Sequence, residues 1–166
     1  MRVLITRHQQ AANSIEKDLK ALGFLTLLEP LIRIEFLKCS IQFEGVNAIL
    51  VTSGNAARAL AVATKERNIQ IYTVGDATAL VLKKRGFLSV VSAKGNSLDL
   101  LDLVTESVDP KKGRLLYVSG EEIASDLPQH LLQSGFSFER AILYRAVAAN
   151  DFSEGVIKAL QNNKID

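Results

Sequence analysis

Residues 48–60 read AILVTSGNAARAL. The run from Ala48 to Val51 is apolar at every position, as a strand covered on both faces requires. Thr52, Ser53, Gly54 and Asn55 break it, and the alanine-rich stretch that follows is a strong helix former. The same phrase of strand, hydroxyl- or glycine-bearing turn and helix recurs as VLITRHQQA (3–11), IYTVGDATALVL (71–82) and LLYVSGEEIASDL (115–127). Strands separated by helices of this length imply right-handed crossovers and a parallel sheet. The expected fold class is α/β: a flavodoxin-like, doubly wound, parallel five-stranded sheet, plus a fragment of a second similar lobe joined to it by two extended connectors.

Periodicity places the elements. Strands are expected at 3–6, 24–28, 46–51, 69–74, 87–91, 114–118 and 138–144, and helices at 10–22, 55–67, 77–84, 97–106, 123–134 and 152–163. Gly23, Gly86 and Gly135 stand where helices must stop. After Pro30 the residues 31–36 alternate like an exposed ribbon, and 144–148 do so again. The domain expectation is therefore 1–30 with 149–166 as an incomplete first lobe, 31–36 and 144–148 as connectors, and 37–143 as a complete second lobe. The chain ends where a further strand is due, so the first lobe is expected to be unfinished.

Composition narrows the function classes. Of 166 residues 48% are hydrophobic, enough to bury a core, and 20 basic residues against 18 acidic leave a formal charge of only +2. Lys83-Lys84-Arg85 and Lys111-Lys112 read as solvated helix ends or loops, and with no duplex-binding motif beside them no nucleic-acid partner is expected. No apolar run approaches the roughly 18 residues of a membrane span, and the amino terminus turns polar at Thr6, so neither membrane nor export is expected. Cys39 is the one cysteine, and His8 and His130 are the only imidazoles. No metal cluster and no disulfide are expected, and a reducing cytoplasm is the expected compartment. No Walker loop, G-x-G-x-x-G or G-x-S-x-G is present.

The strand-end turns carry what chemistry there is. Each directs backbone N–H groups, a hydroxyl and the positive end of a helix dipole at one spot, which suits carboxylates or phosphates. Taken singly, each is also an ordinary N-cap: Ser53 or Asn55 for the second turn, and an aspartate cap with a glycine bend for Thr73-Val74-Gly75-Asp76. Their recurrence on one sheet edge favours a polyanion site. Arg7 and Arg58, near the first two turns, suit substrate carboxylates or merely surface acids. Tyr144 packs its ring with its hydroxyl in water, or donates to a departing hydroxide-like oxygen, as a weak acid of pKa near 10 can.

VLITR, a Leu-Gly-Phe with a proline before an extended connector, VTSGNAARAL, VGDATALVLKKRGF, LLYVSGEEIASDLPQHLLQSGF and AILYRAV, in that order, resemble the uroporphyrinogen-III synthase family over nearly the whole chain. The resemblance implies two α/β lobes, a cleft between them, and conversion of hydroxymethylbilane to uroporphyrinogen III with the last ring inverted. No cofactor is implied, and the partner is the anionic linear tetrapyrrole, bound by a monomer. Thr52, Ser53 and Asn55 fall on the family's first hydroxyl-rich loop, Gly75 and Thr78 on its second, and Ser119 and Gly120 on its third. Tyr144 falls on the tyrosine that assists loss of the hydroxyl. His8 stands where the family has proline. Family members also continue beyond this length, so the chain alone is expected to be inactive. The alternative is a flavodoxin-like, non-catalytic module for a phosphorylated or carboxylated metabolite.

Overall fold

A computed structural model of the chain describes residues 1–123 and 125–166 and divides into two units, Met1–Glu35 with Ala146–Asp166 and Phe36–Arg145. In the first unit β1 (Arg2–Ile5) and β2 (Leu25–Leu28) pair in parallel, with α1 (Gln9–Ala21) as the crossover. Asp166 lies beside the start of β1, its backbone N–H donating to the Arg2 carbonyl at 3.0 Å.

The second unit carries the larger sheet. Its strands β4 (Val46–Val51), β5 (Ile71–Thr73), β6 (Val90–Ser92), β7 (Arg114–Gly120) and β8 (Phe138–Ala148) form parallel neighbours β6-β5-β4-β7-β8. This corrects the flavodoxin-like expectation. That order sets the first strand of the domain between the second and third, whereas here β4 lies between the second and the fourth. Apolar periodicity fixes that strands are parallel but not which edge a crossover returns to. The helices record the choice: α2 (Gly54–Ala63) packs with α3 (Asp76–Lys84) on one face, and α4 (Ser97–Ser107) with α5 (Leu127–Gln133) on the other. A right-handed crossover must change faces when winding reverses, so the reversal falls between β4 and β7.

Each face buries its own core. Ala56, Leu60, Ala79 and Leu82 close over Ile49, Val51 and Ile71 on one side, while Leu100, Val104, Leu127 and Leu131 cover Leu50, Leu115 and Tyr117 on the other. Alternate residues of β4 and β7 thus serve both layers, which explains the unbroken apolar runs.

The sheet has six strands rather than five, because β3 (Ile32–Phe36) joins its edge beside β8. Leu37 N–H donates to Leu143 O at 2.8 Å and Ala149 N–H to Leu31 O at 2.9 Å, so the two runs expected as connectors are antiparallel and satisfy each other's backbone. Helix α6 (Glu154–Gln161) is capped by Ser153. Two helix boundaries differ from those expected, the first for a side-chain reason. Helix α2 stops at Ala63 because Arg67 folds back, donating to the carbonyls of Ala61, Thr64 and Arg85 and stacking 4.4 Å from the Phe87 ring. The helix expected at 123–134 begins at Leu127; Ala124 lies outside the described residues. No helix among the described residues is long and apolar enough to cross a membrane.

Candidate functional site

At the carboxyl end of β4 the chain leaves the sheet at Thr52 and enters α2 through Ser53, whose extended backbone (φ −144°, ψ 153°) is that of an N-cap. The Ser53 Oγ accepts the Ala56 N–H at 3.1 Å, and lies 3.2 Å from the Tyr144 hydroxyl. The serine oxygen keeps a second lone pair, so either hydroxyl can donate across this contact; when the serine donates, the phenol hydrogen is left for a third partner. Beside it, Thr52 Oγ1 and the Tyr117 hydroxyl are 3.5 Å apart. One turn therefore meets two phenols.

Tyr144 reaches this position through a fault in the ladder. Ser119 pairs with Ile142 but Gly120 with Tyr144, so Leu143 is an extra residue on β8. A bulge bends its strand and re-aims the side chains after it. The Tyr144 ring is laid over Gly120, where a Cβ would stand 2.7 Å from its Cε2. Glu121 N–H closes the arrangement on the Tyr144 carbonyl at 2.9 Å.

These groups line a cavity of about 550 Å³ in the second unit, of the size that small-ligand sites have. Thr52 and Ser53 follow the end of β4, Tyr117, Ser119 and Gly120 come from the last residues of β7, and Tyr144 comes from within β8. Gly95, Asn96 and Ser97 at the start of α4 add to the lining, with Val74, Glu122, Ile123 and Ser125. The reversal between β4 and β7 makes this the switch point of the sheet, where the carboxyl ends of strands leave a crevice. Among the described lining residues there is no lysine or arginine, and Glu122 is a carboxylate. The lining offers neutral donors rather than cations.

Of the residues singled out from the sequence, Thr52, Ser53, Ser119, Gly120 and Tyr144 are brought together. The others are not. Asn55 spends its Oδ1 on Arg58 Nη2 at 2.6 Å. Gly75, not Asp76, is the N-cap of α3, and Thr78 is 8% exposed within that helix. Arg7 is exposed in the first unit. Ser119 and Gly120 lie within β7 rather than in a turn beyond it. Ser119 is 2% exposed; its Oγ accepts from Arg140 Nε at 2.8 Å and donates to Gly120 O at 2.9 Å, which spends most of its bonding capacity. Arg58 has a buried Nε with no hydrogen-bond partner among the described residues, and burial, then the nearby charge of Arg85, lower its pKa.

Tyr117 and the Gly95-Asn96-Ser97 turn were not singled out, although both left a signal. Leu115, Tyr117 and Ser119 alternate onto one face of β7, and the turn before α4 is a further glycine and hydroxyl phrase after a strand. There Asn96 Oδ1 accepts the Leu98 N–H at 2.7 Å and Asp99 Oδ2 accepts the Asn96 N–H at 2.6 Å. This capping box already consumes donors that an anion would use. No group of three or more metal-ligating side chains occurs among the described residues.

Sheet order and the neutral-lined cavity at the switch point define a doubly wound α/β domain, in a place where such sheets take ligands. A sequence model of the family described as uroporphyrinogen-III synthase HemD matches residues 13–166, and the chain belongs to that family. Solved structures share the fold. A mutant uroporphyrinogen III synthase from the extremely thermophilic bacterium Thermus thermophilus superposes with a TM-score of 0.62 at 21% identity, over 100% of this chain and 70% of that one. The Helicobacter pylori 26695 uroporphyrinogen-III synthetase gives 0.63 at 23% identity, over 82% of this chain and 62% of its own. The wild-type Thermus enzyme in a second crystal form gives 0.52 at 21%. No curated protein matched the chain.

Proposed function

We propose that the second unit holds hydroxymethylbilane for uroporphyrinogen-III synthase chemistry, with the hydroxymethyl-bearing end of the linear tetrapyrrole in the cavity beside Tyr144. The observation that carries the reading is the 3.2 Å contact between Ser53 Oγ and the Tyr144 hydroxyl, within a cavity lined by neutral donors. In this reading the C–O bond of the hydroxymethyl group breaks with its electron pair on oxygen. That oxygen takes the Tyr144 proton and leaves as water, while the pyrrole nitrogen stabilises the methylene cation. Attack by the substituted carbon of the last ring gives the spiro intermediate through which that ring is inverted, and the phenolate regains a proton released during closure. A phenol is a weak acid at neutral pH, which is sufficient because the leaving group is already labile. The larger task is to hold a flexible chain in the closing geometry.

The reading calls for no cofactor, and it places a monomer in the cytoplasm. With no cation in the described lining, the cavity takes a pyrrole end and leaves the carboxylates toward solvent or other groups. The family relatives above are longer than this chain. Turnover is accordingly proposed for the synthase as a whole, and for these 166 residues alone, binding without efficient closure. The test is to add the chain in equimolar amount to hydroxymethylbilane and follow closure by separating the oxidised isomers I and III. Slowed formation of isomer I supports binding. An unchanged rate with no isomer III would overturn it.

A further inference from the structure

We propose that Arg140 is the positioning residue for Tyr144, its guanidinium bonded to Ser119, Gly120 and Glu121 together so that the end of β7 is locked into the bed on which the tyrosine ring lies. The proposal rests on the reading that Tyr144 meets the substrate. Arg140 Nε donates to Ser119 Oγ at 2.8 Å, and Nη2 donates to the carbonyls of Gly120 at 2.6 Å and Glu121 at 2.5 Å. These three residues are the stretch where the ladder to β8 loses register. A bulge leaves backbone groups without their strand partner, and a planar fork of donors reaches several of them at once, as a single ammonium does not.

The consequence runs through Gly120. Its Cα has no room for a methyl group because the Tyr144 ring occupies that space, so the ring can be no better placed than the strand end beneath it. Glu121, held by Arg140 through its carbonyl, holds Tyr144 in turn through its N–H. Arg140 itself does not line the cavity. It acts on the site only by fixing the floor.

The experiment uses the whole chain labelled with 3-fluorotyrosine, whose three tyrosines, Tyr72, Tyr117 and Tyr144, are assigned by single Tyr→Phe variants. In Arg140→Gln the Tyr144 fluorine signal shifts and broadens while that of Tyr72 stays in place. Arg140→Lys, or guanidinium ion added to Arg140→Gln, brings the Tyr144 signal part of the way back. Affinity for hydroxymethylbilane falls about tenfold in Arg140→Gln. A Tyr144 signal unmoved in both variants, or one that moves only together with Tyr72, overturns the proposal. Should Arg140→Gln not fold, Arg140→Lys is judged by the same shift of Tyr144 relative to Tyr72. Because the fluorine readout needs no ligand, a wild-type chain that fails to bind hydroxymethylbilane defeats the proposed function and leaves the Arg140 result standing.

Discussion

The ring of Tyr144 lies so close over Gly120 that a Cβ on the glycine would stand 2.7 Å from Cε2 and Cζ and 3.0 Å from the hydroxyl oxygen. Gly120 is needed here for space, since its backbone is not in the left-handed region. Two strands that meet at a register shift have been fitted together by leaving out one side chain.

Gly120→Ala is therefore expected to fold, because alanine accepts the backbone and restricts the unfolded chain by about 0.4–1 kcal/mol in favourable cases. The added methyl must push the Tyr144 ring aside and break its contact with Ser53. Thermal melting within a few degrees of wild type, together with loss of hydroxymethylbilane binding, is the expected pair of results. Binding at wild-type strength would show that the ring position does not matter.

Ser53 has two roles that different substitutions separate. Ser53→Ala removes both the N-cap of α2 and the partner of Tyr144, and is expected to cost about 1 kcal/mol of stability. Ser53→Gly costs only a few tenths, because glycine is a tolerated cap, yet it loses the hydroxyl as completely. Urea melts should rank the two variants in that order, while their affinities for hydroxymethylbilane fall together. Affinity that tracks stability instead would make Ser53 a cap alone.

The first unit carries a pH dependence of its own. Glu16 receives a 2.8 Å ion pair from Lys20 and a 3.0 Å hydrogen bond from Thr26, and these hold its carboxyl below the ordinary value, Lys20 contributing most. A carboxyl whose pKa is lowered on folding contributes stability above its unfolded pKa and loses it as pH falls through the folded one. Glu16→Gln should accordingly lower the melting temperature at neutral pH, and the difference from wild type should shrink as pH is taken down through and below the ordinary glutamate range. A difference that stays constant with pH would assign the effect to packing.

Much of the second unit could be read from the chain because its elements obey local rules. The apolar run before Thr52 had to be a buried strand, and Ser53 or Asn55 had to cap the helix that followed; the structure gives the cap to Ser53. Strand order was not legible, since the reversal between β4 and β7 is decided by which face α4 packs on, a contact made far from its own sequence. Ser119 and Gly120 looked like a turn because glycine usually ends strands; in the sheet, the glycine marks the close approach of Tyr144 instead. The bulge at Leu143 has no composition signal, and the reach of Arg140 across to β7 depends on that register. Asn55 and Thr78 were placed correctly on their helices, but the turn of each helix carried them away from the cavity.

Backbone amide NMR of the chain titrated with hydroxymethylbilane shows whether the cavity around Tyr144 receives the hydroxymethyl end of the tetrapyrrole. Shifts are expected to concentrate at Thr52, Ser53, Gly120 and Tyr144, with Tyr144→Phe retaining them at the other three positions because the ring and its bed remain. Perturbations confined to other parts of the chain, or none at saturating ligand, would contradict it.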